Sequence, residues 1–124
     1  MDLLEIISKT LWAEVRGESF DGIKAVASVI MNRAKQDINN IKDVILKPKQ
    51  FSCWNNGTPV VTIKNDSDNL LWMSIMLLAE SMINGGFIPI GDWTHYYNPK
   101  LCNPKWAKGI SFVDIGNHRF LKTK

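Results

Sequence analysis

The sequence predicts a predominantly helical α+β fold with a small β or irregular lobe. Three observations predict it. Apolar residues recur at helical spacing in three stretches, 2–15, 22–35 and 68–84. Between Gln50 and Asp68 that periodicity is lost, and a turn-forming NNGT and the β-branched run VVTI take its place. Beyond Gly86 the chain is cut into short pieces by Pro89, Gly91, Pro99, Pro104, Gly109 and Gly116.

The first helix is expected from Asp2 to Val15, stopping near Gly17, with Leu3, Leu4, Ile7 and Leu11 on its buried face. SFDG at 19–22 forms a turn in which either Ser19 or Asp21 caps the second helix, Gly22 to Lys35. Ile23, Val26, Ala27, Ile30 and Ala34 make its buried stripe, and the small Ala25, Ala27 and Ser28 admit a close neighbour. QDINN at 36–40 breaks the pattern. IKDVIL at 41–46 reads as a short helix or strand ended by Pro48. NNGT at 55–58 is a turn and VVTI at 60–63 the one convincing β-branched run, so a small β-element or an irregular lobe is expected there. The third long helix begins at Asp68 as its cap, buries Leu71, Ile75, Leu78 and Met82, and ends at Asn84-Gly85-Gly86.

A chain of 124 residues is long enough for one core, so a single domain over 1–124 is expected. The formal net charge of +3 is carried by scattered lysines, which argues against a nucleic-acid binder and mildly favours anionic surroundings. Cys53 and Cys102 belong to no CxxC pair and read as two free, partly buried thiols. MDLLEIISKT lacks the basic start and unbroken apolar stretch of a secretion signal. LLWMSIMLLA at 70–79 is too short to cross a bilayer, so no membrane insertion is expected. The expectation is a soluble monomer made in the cytoplasm.

One acidic residue breaks the first helix's apolar face. Three residues beyond Leu11, the same face receives Glu14, while Glu5 and Arg16 project to the solvated side. A carboxylate turned toward the core loses water, so its charged form becomes costly and its pKa rises. A proton held near neutral pH is what a general acid requires. Helix geometry alone favours the plainer reading, a partly buried Glu paired with a Lys or Arg.

The residues around Glu14 decide between these. AEVRGESFDGIKAVASVIMNR at 13–33 resembles the opening of the SleB/CwlJ-type cell-wall hydrolases, the spore-cortex-lytic family. The likeness continues through Val44, Gln50-Phe51-Ser52, THYYNP at 94–99, Trp106 and IGNHRF at 115–120, in the family's order. Ala13 stands where that family has Gly, Val15 where it has Ala, and His95 where an aromatic is common.

The resemblance implies a lysozyme-like, lytic-transglycosylase-like fold and an enzyme that cleaves peptidoglycan glycan strands at the MurNAc–GlcNAc β-1,4 bond. It implies Glu14 as the catalytic acid and base, with Gln50 and Ser52 lining the groove beside it. Glu18 has two readings: a helix-end carboxylate pairing with Arg33 or a backbone N–H, or a partner that tunes Glu14 or touches sugar. Tyr96, Tyr97 and Asn98 combine stacking rings with an amide, which suits sugar binding, one tyrosine serving the core and one the groove. Trp54, Trp93 and Trp106 are platforms or core. Arg33 reads as a buried ion-pair partner and His118 as a structural residue or one bonded near the groove.

Hydrolysis by the usual route needs a second carboxylate. Asp43, Asp66, Asp68 and Asp92 are the candidates and none stands out. A lone carboxylate favours a lytic transglycosylase over a muramidase or a non-catalytic peptidoglycan-binding module. His95 and His118 lack metal-site spacing, so no metal or other cofactor is expected. For such an enzyme, made without a secretion signal, the expectation is release through a membrane pore, as for a phage lysin, or origin as a fragment of a secreted protein.

Overall fold

The computed structural model describes residues 1–47 and 50–123. Helix α1 spans Leu3–Val15, α2 Phe20–Arg33, α3 Ile38–Leu46 and α4 Asp66–Asn84. Three strands follow, β1 His95–Tyr97, β2 Phe112–Ile115 and β3 His118–Leu121. Two short 3-10 turns, Ser52–Trp54 and Lys105–Ala107, complete the described elements.

The helix ends obey capping chemistry. Asp2 accepts the Glu5 N–H at 2.9 Å and starts α1. Ser19 rather than Asp21 caps α2, accepting the Gly22 N–H at 3.3 Å. That helix stops at Arg33, and Lys35 and Gln36 turn to positive φ, 56° and 59°. Asp37 then accepts the Asn39 N–H and starts α3 inside the polar stretch expected to be irregular. IKDVIL is therefore helical, and Pro48, expected to end it, lies outside the described residues. Asn65, not Asp68, caps α4: its side chain accepts the Asp68 N–H at 2.8 Å, and the Asp68 carboxylate reaches back to the Lys64 N–H at 3.0 Å. Gly85, at φ 85°, closes that helix as a left-handed C-cap.

α1 packs against α2, α3 and α4. Ile7, Leu11 and Trp12 of α1, Ile23, Val26 and Ile30 of α2, Ile41 and Ile45 of α3, and Ile75 and Met82 of α4 form its buried core. Phe120 is the sheet residue fully buried in that core, and Tyr96 and Ile115 pack against it.

The sheet is not at the β-branched run. No strand forms at 60–63; Val60 is 80% exposed there and Val61 packs singly on the core. Strand propensity needs a paired neighbour to act, and the tail supplies one. β2 and β3 form a hairpin across Gly116-Asn117, with Gly116 at φ 60° giving the positive dihedral such two-residue turns demand. β1 adds antiparallel to β3, giving the order β1-β3-β2 with Tyr96 opposite Phe120.

Two polar residues of α2, one turn apart, hold the approach to this sheet. Ser28 Oγ donates to the Lys24 carbonyl and accepts the Ile90 N–H at 2.9 Å. Asn32 Nδ2 donates to the carbonyls of Gly91 and Trp93 at 2.9 and 2.8 Å. The small residues of α2 thus admit the 90–93 segment that leads into β1.

Candidate active site

Between the helical layer and the sheet lies a cleft of about 1050 Å³. The helical side contributes Glu14 from the last turn of α1, Arg33 from the end of α2, and Gln50, Phe51 and Ser52 from the chain after α3. The sheet side contributes His95 and Tyr96 of β1, Trp106, and Lys122 and Thr123 beyond β3.

Glu14 is half-buried. Desolvation raises its pKa; the thiol and main-chain N–H of Cys53, and more weakly the charge of His118, pull the other way. The Cys53 thiol beside it is pushed up to about 12 by burial and by the Glu14 carboxylate, so it stays protonated. Tyr96 is raised far above the ordinary phenol range by burial first and then by Glu14 and Cys53. Its ring stacks on Phe120 at 5.6 Å and meets His118 edge-on at 5.4 Å. The carboxyl therefore faces weak neutral donors, not a cation in direct contact.

Burial lowers the pKa of Arg33, but a guanidinium keeps its charge. It donates to Gln50 Oε1, which fixes the amide on the cleft wall. Burial, and then the Arg33 charge, lower His95, leaving a neutral imidazole at neutral pH. Thr94 and Thr123 hydroxyls each lie 3.0 Å from its Nδ1, and its ring packs on Trp106 at 5.2 Å.

Of the residues expected at the site, the structure brings together Glu14, Gln50, Ser52 and Tyr96. Three are placed elsewhere. Glu18 lies outside the cleft: its Oε1 meets His118 Nδ1 at 2.9 Å, and its carboxylate accepts the Asn117 N–H at 3.3 Å. It pairs with a backbone N–H, as one reading held, but not with Arg33. Tyr97 shares its face of β1 with His95, but it meets Trp106 edge-on at 5.8 Å and lines the neighbouring hollow instead of the cleft. Asn98 caps a turn, its Oδ1 accepting the Lys100 N–H at 2.9 Å and its carbonyl those of Leu101 and Cys102.

Trp54 and Trp93 belong to the interior. Trp54 donates to Thr10 Oγ1 at 2.9 Å, and Trp93 packs on Phe120 at 5.3 Å. Trp106 is 47% exposed and is the tryptophan that lines the cleft. Cys53 is half-buried as expected, while Cys102 is exposed; both thiols are free. Asp43, Asp66, Asp68 and Asp92 are all absent from the cleft wall, and Asp92 faces Lys122 at 3.8 Å on the exterior. Among the described residues, Glu14 is the one carboxylate that lines the cleft. Lys122 and Thr123 had no signal in sequence, because they are ordinary polar residues that only strand pairing carries to this place.

A family model described as Cell Wall Hydrolase matches residues 17–121. The spore cortex-lytic enzyme of Bacillus cereus is 27% identical over 122 residues, covering 96% of this chain and 44% of the relative. That of Bacillus subtilis is 24% identical over 120 residues, covering 94% of this chain and 36% of its own. The chain thus spans less than half the length of these relatives. Among solved structures, the catalytic domain of the Bacillus cereus SleB protein superposes with a TM-score of 0.68 at 27% identity, covering 96% of this chain and 88% of that one. The catalytic domain of the germination-specific lytic transglycosylase SleB from Bacillus anthracis gives 0.68 and 27%, covering 96% and 93%.

Proposed function

This chain belongs to the cell wall hydrolase family, and on that premise we propose that it cleaves peptidoglycan glycan strands as a lytic transglycosylase, with Glu14 as acid and then base. The observation that carries this reading is the solitary carboxylate: among the described residues no second one lines the cleft to activate water or trap the sugar. The likeness to the Bacillus anthracis SleB domain, a germination-specific lytic transglycosylase, points the same way.

The chemistry follows from the environment of Glu14. Its desolvated carboxyl holds a proton and donates it to the glycosidic oxygen as the C1–O bond breaks. Positive charge develops at C1, and the carboxylate just formed lies in the same cleft. That carboxylate then takes the proton of the muramic C6 hydroxyl, whose oxygen closes onto C1. One bond breaks, one forms, Glu14 regains its proton, and no water is consumed. Cys53, which stays protonated, supplies a donor to the carboxylate in the base phase without neutralising it permanently, and Tyr96 stays a neutral phenol nearby. Gln50, held by Arg33, and Ser52 supply polar groups for sugar hydroxyls, and Trp106 an open ring face.

Mass analysis of digested peptidoglycan tests this. The expected fragments carry 1,6-anhydromuramic ends and are lighter by one water than hydrolysis products. Reducing ends of ordinary mass would identify a muramidase instead. No fragments from the wild type would leave a glycan-binding module.

A further inference from the structure

Beside the main cleft lies a second hollow of about 420 Å³, lined by Tyr97, Phe112, Arg119, Lys105 and Lys108. Gly109 and Ile110 border both spaces, so the hollow continues the cleft. Trp106 forms the partition: its ring packs on His95 on the cleft side and on Tyr97, at 5.8 Å, on the other. The local backbone explains the division. In a 3-10 turn residues three apart lie one above the other, and Lys105–Ala107 is such a turn, closed by the Lys108 N–H on the Lys105 carbonyl. Lys105 and Lys108 therefore share one side, Trp106 faces the cleft, and Ala107 points inward and is buried.

The charges of this hollow are unbalanced. Arg119 is already held by Asp114, through bonds of 2.8 and 3.1 Å, and covers the Phe112 ring at 3.8 Å. No acidic residue lines the hollow, and among the described residues neither lysine has a salt-bridge partner. Two ammonium groups without an ion-pair partner among the described residues, in a hollow also lined by two aromatic rings and opening onto the cleft, fit an acidic substituent on the sugar.

We propose that the hollow binds the carboxylate-bearing substituent of the muramic sugar, with Lys105 and Lys108 as its specificity residues. This rests on the glycan-strand reading above. The carboxylate has two sources in peptidoglycan: the acidic residues of the stem peptide, or the lactyl group freed when the stem is removed.

The test is binding by Glu14→Gln protein, which does not depend on turnover, to glycan oligomers in four forms. These carry intact stems, or are stripped by an amidase, each with and without carbodiimide amidation of the carboxylates. The same background carries Lys105→Ala/Lys108→Ala, or the control Lys42→Ala/Lys64→Ala at exposed sites that line neither space. The hollow-lysine pair is expected to weaken binding of carboxylate-bearing oligomers about five- to tenfold, less at high salt. Amidated oligomers are expected to bind both proteins alike. A loss confined to stem-bearing oligomers assigns the stem; one confined to stripped oligomers assigns the lactyl group. An equal loss on amidated oligomers, an equal loss in the control, no loss, or no binding of any oligomer overturns the proposal. Cleavage by the wild type, read separately, keeps the fate of the catalytic reading distinct: the lysine pair leaves the product ends unchanged.

Discussion

The helical wall of the cleft is seated in the core, whereas the opposite wall is a three-stranded sheet joined to that core through Phe120 and fastened at its edge by polar bonds. Glu14 stands on a helix whose Leu11, Trp12 and Val15 are all buried, so its position is set by close packing. The β2–β3 hairpin instead exposes Phe112 and Val113, and its turn is held to the end of α1 by Glu18. Gly116 suits that turn, because its φ of 60° strains an L side chain and a Cβ, 2.3 Å from Glu18 Oε2, would displace that carboxylate. On the function proposed above, the reacting carboxyl sits on the packed wall and much of the sugar-binding surface on the fastened one.

Glu14→Gln is the sharpest break between the two walls. Cleavage is expected to fall by about 10²–10⁴-fold, with glycan affinity little changed, in a muropeptide release assay paired with pelleting on cell walls. Retained cleavage would take the acid away from position 14. Next in size, Phe120→Ala removes the plug between sheet and core and is expected to cost about 3–5 kcal/mol in urea unfolding. Glu18→Ala frees the hairpin and leaves His118 without its carboxylate, at about 1–3 kcal/mol. Faster amide exchange confined to 116–121 should accompany it, and uniform acceleration would mean that the walls unfold together. Trp106→Ala is expected to raise KM about three- to tenfold and leave kcat nearly intact, since its ring offers an apolar face and no proton.

The smallest effect is thermodynamic. Burial raises Glu14, so the folded protein binds its proton up to a higher pH than the unfolded chain does. Its contribution to stability is complete below the unfolded carboxylate value and lost as pH rises through the folded one. Glu14→Gln should therefore gain stability on the wild type above that window, by under about 1 kcal/mol, in thermal melts at acid and neutral pH. The same rise places the alkaline limb of wild-type cleavage above the ordinary carboxylate range. A difference in melting independent of pH would show that the carboxyl is fully solvated.

Much of the helical wall was legible in sequence. Periodicity located α1, α2 and α4, and the interruption at Glu14 marked the residue that lines the cleft. The place of the sheet was not legible: of the two readings for VVTI the irregular one holds, because the run finds no partner, while the tail pairs through a Gly116-Asn117 turn. Glu18, Tyr97 and Asn98 were candidates for sugar contact, Glu18 with a helix-end pairing as its other reading and one of the two tyrosines assigned to the core. Tyr97 lies beyond Trp106 in the neighbouring hollow, a local turn consumes Asn98, and His118, a hundred residues on in sequence, claims Glu18.

Local rules therefore determined the helices, their caps and the face that carries Glu14, since each depends on neighbours within a turn or two. Which other residues surround that carboxyl was decided only when distant segments packed. Cys53, Tyr96, Trp106 and Thr123 reach the carboxyl or its cleft through strand pairing and core burial, and such contacts leave no periodic trace in the chain.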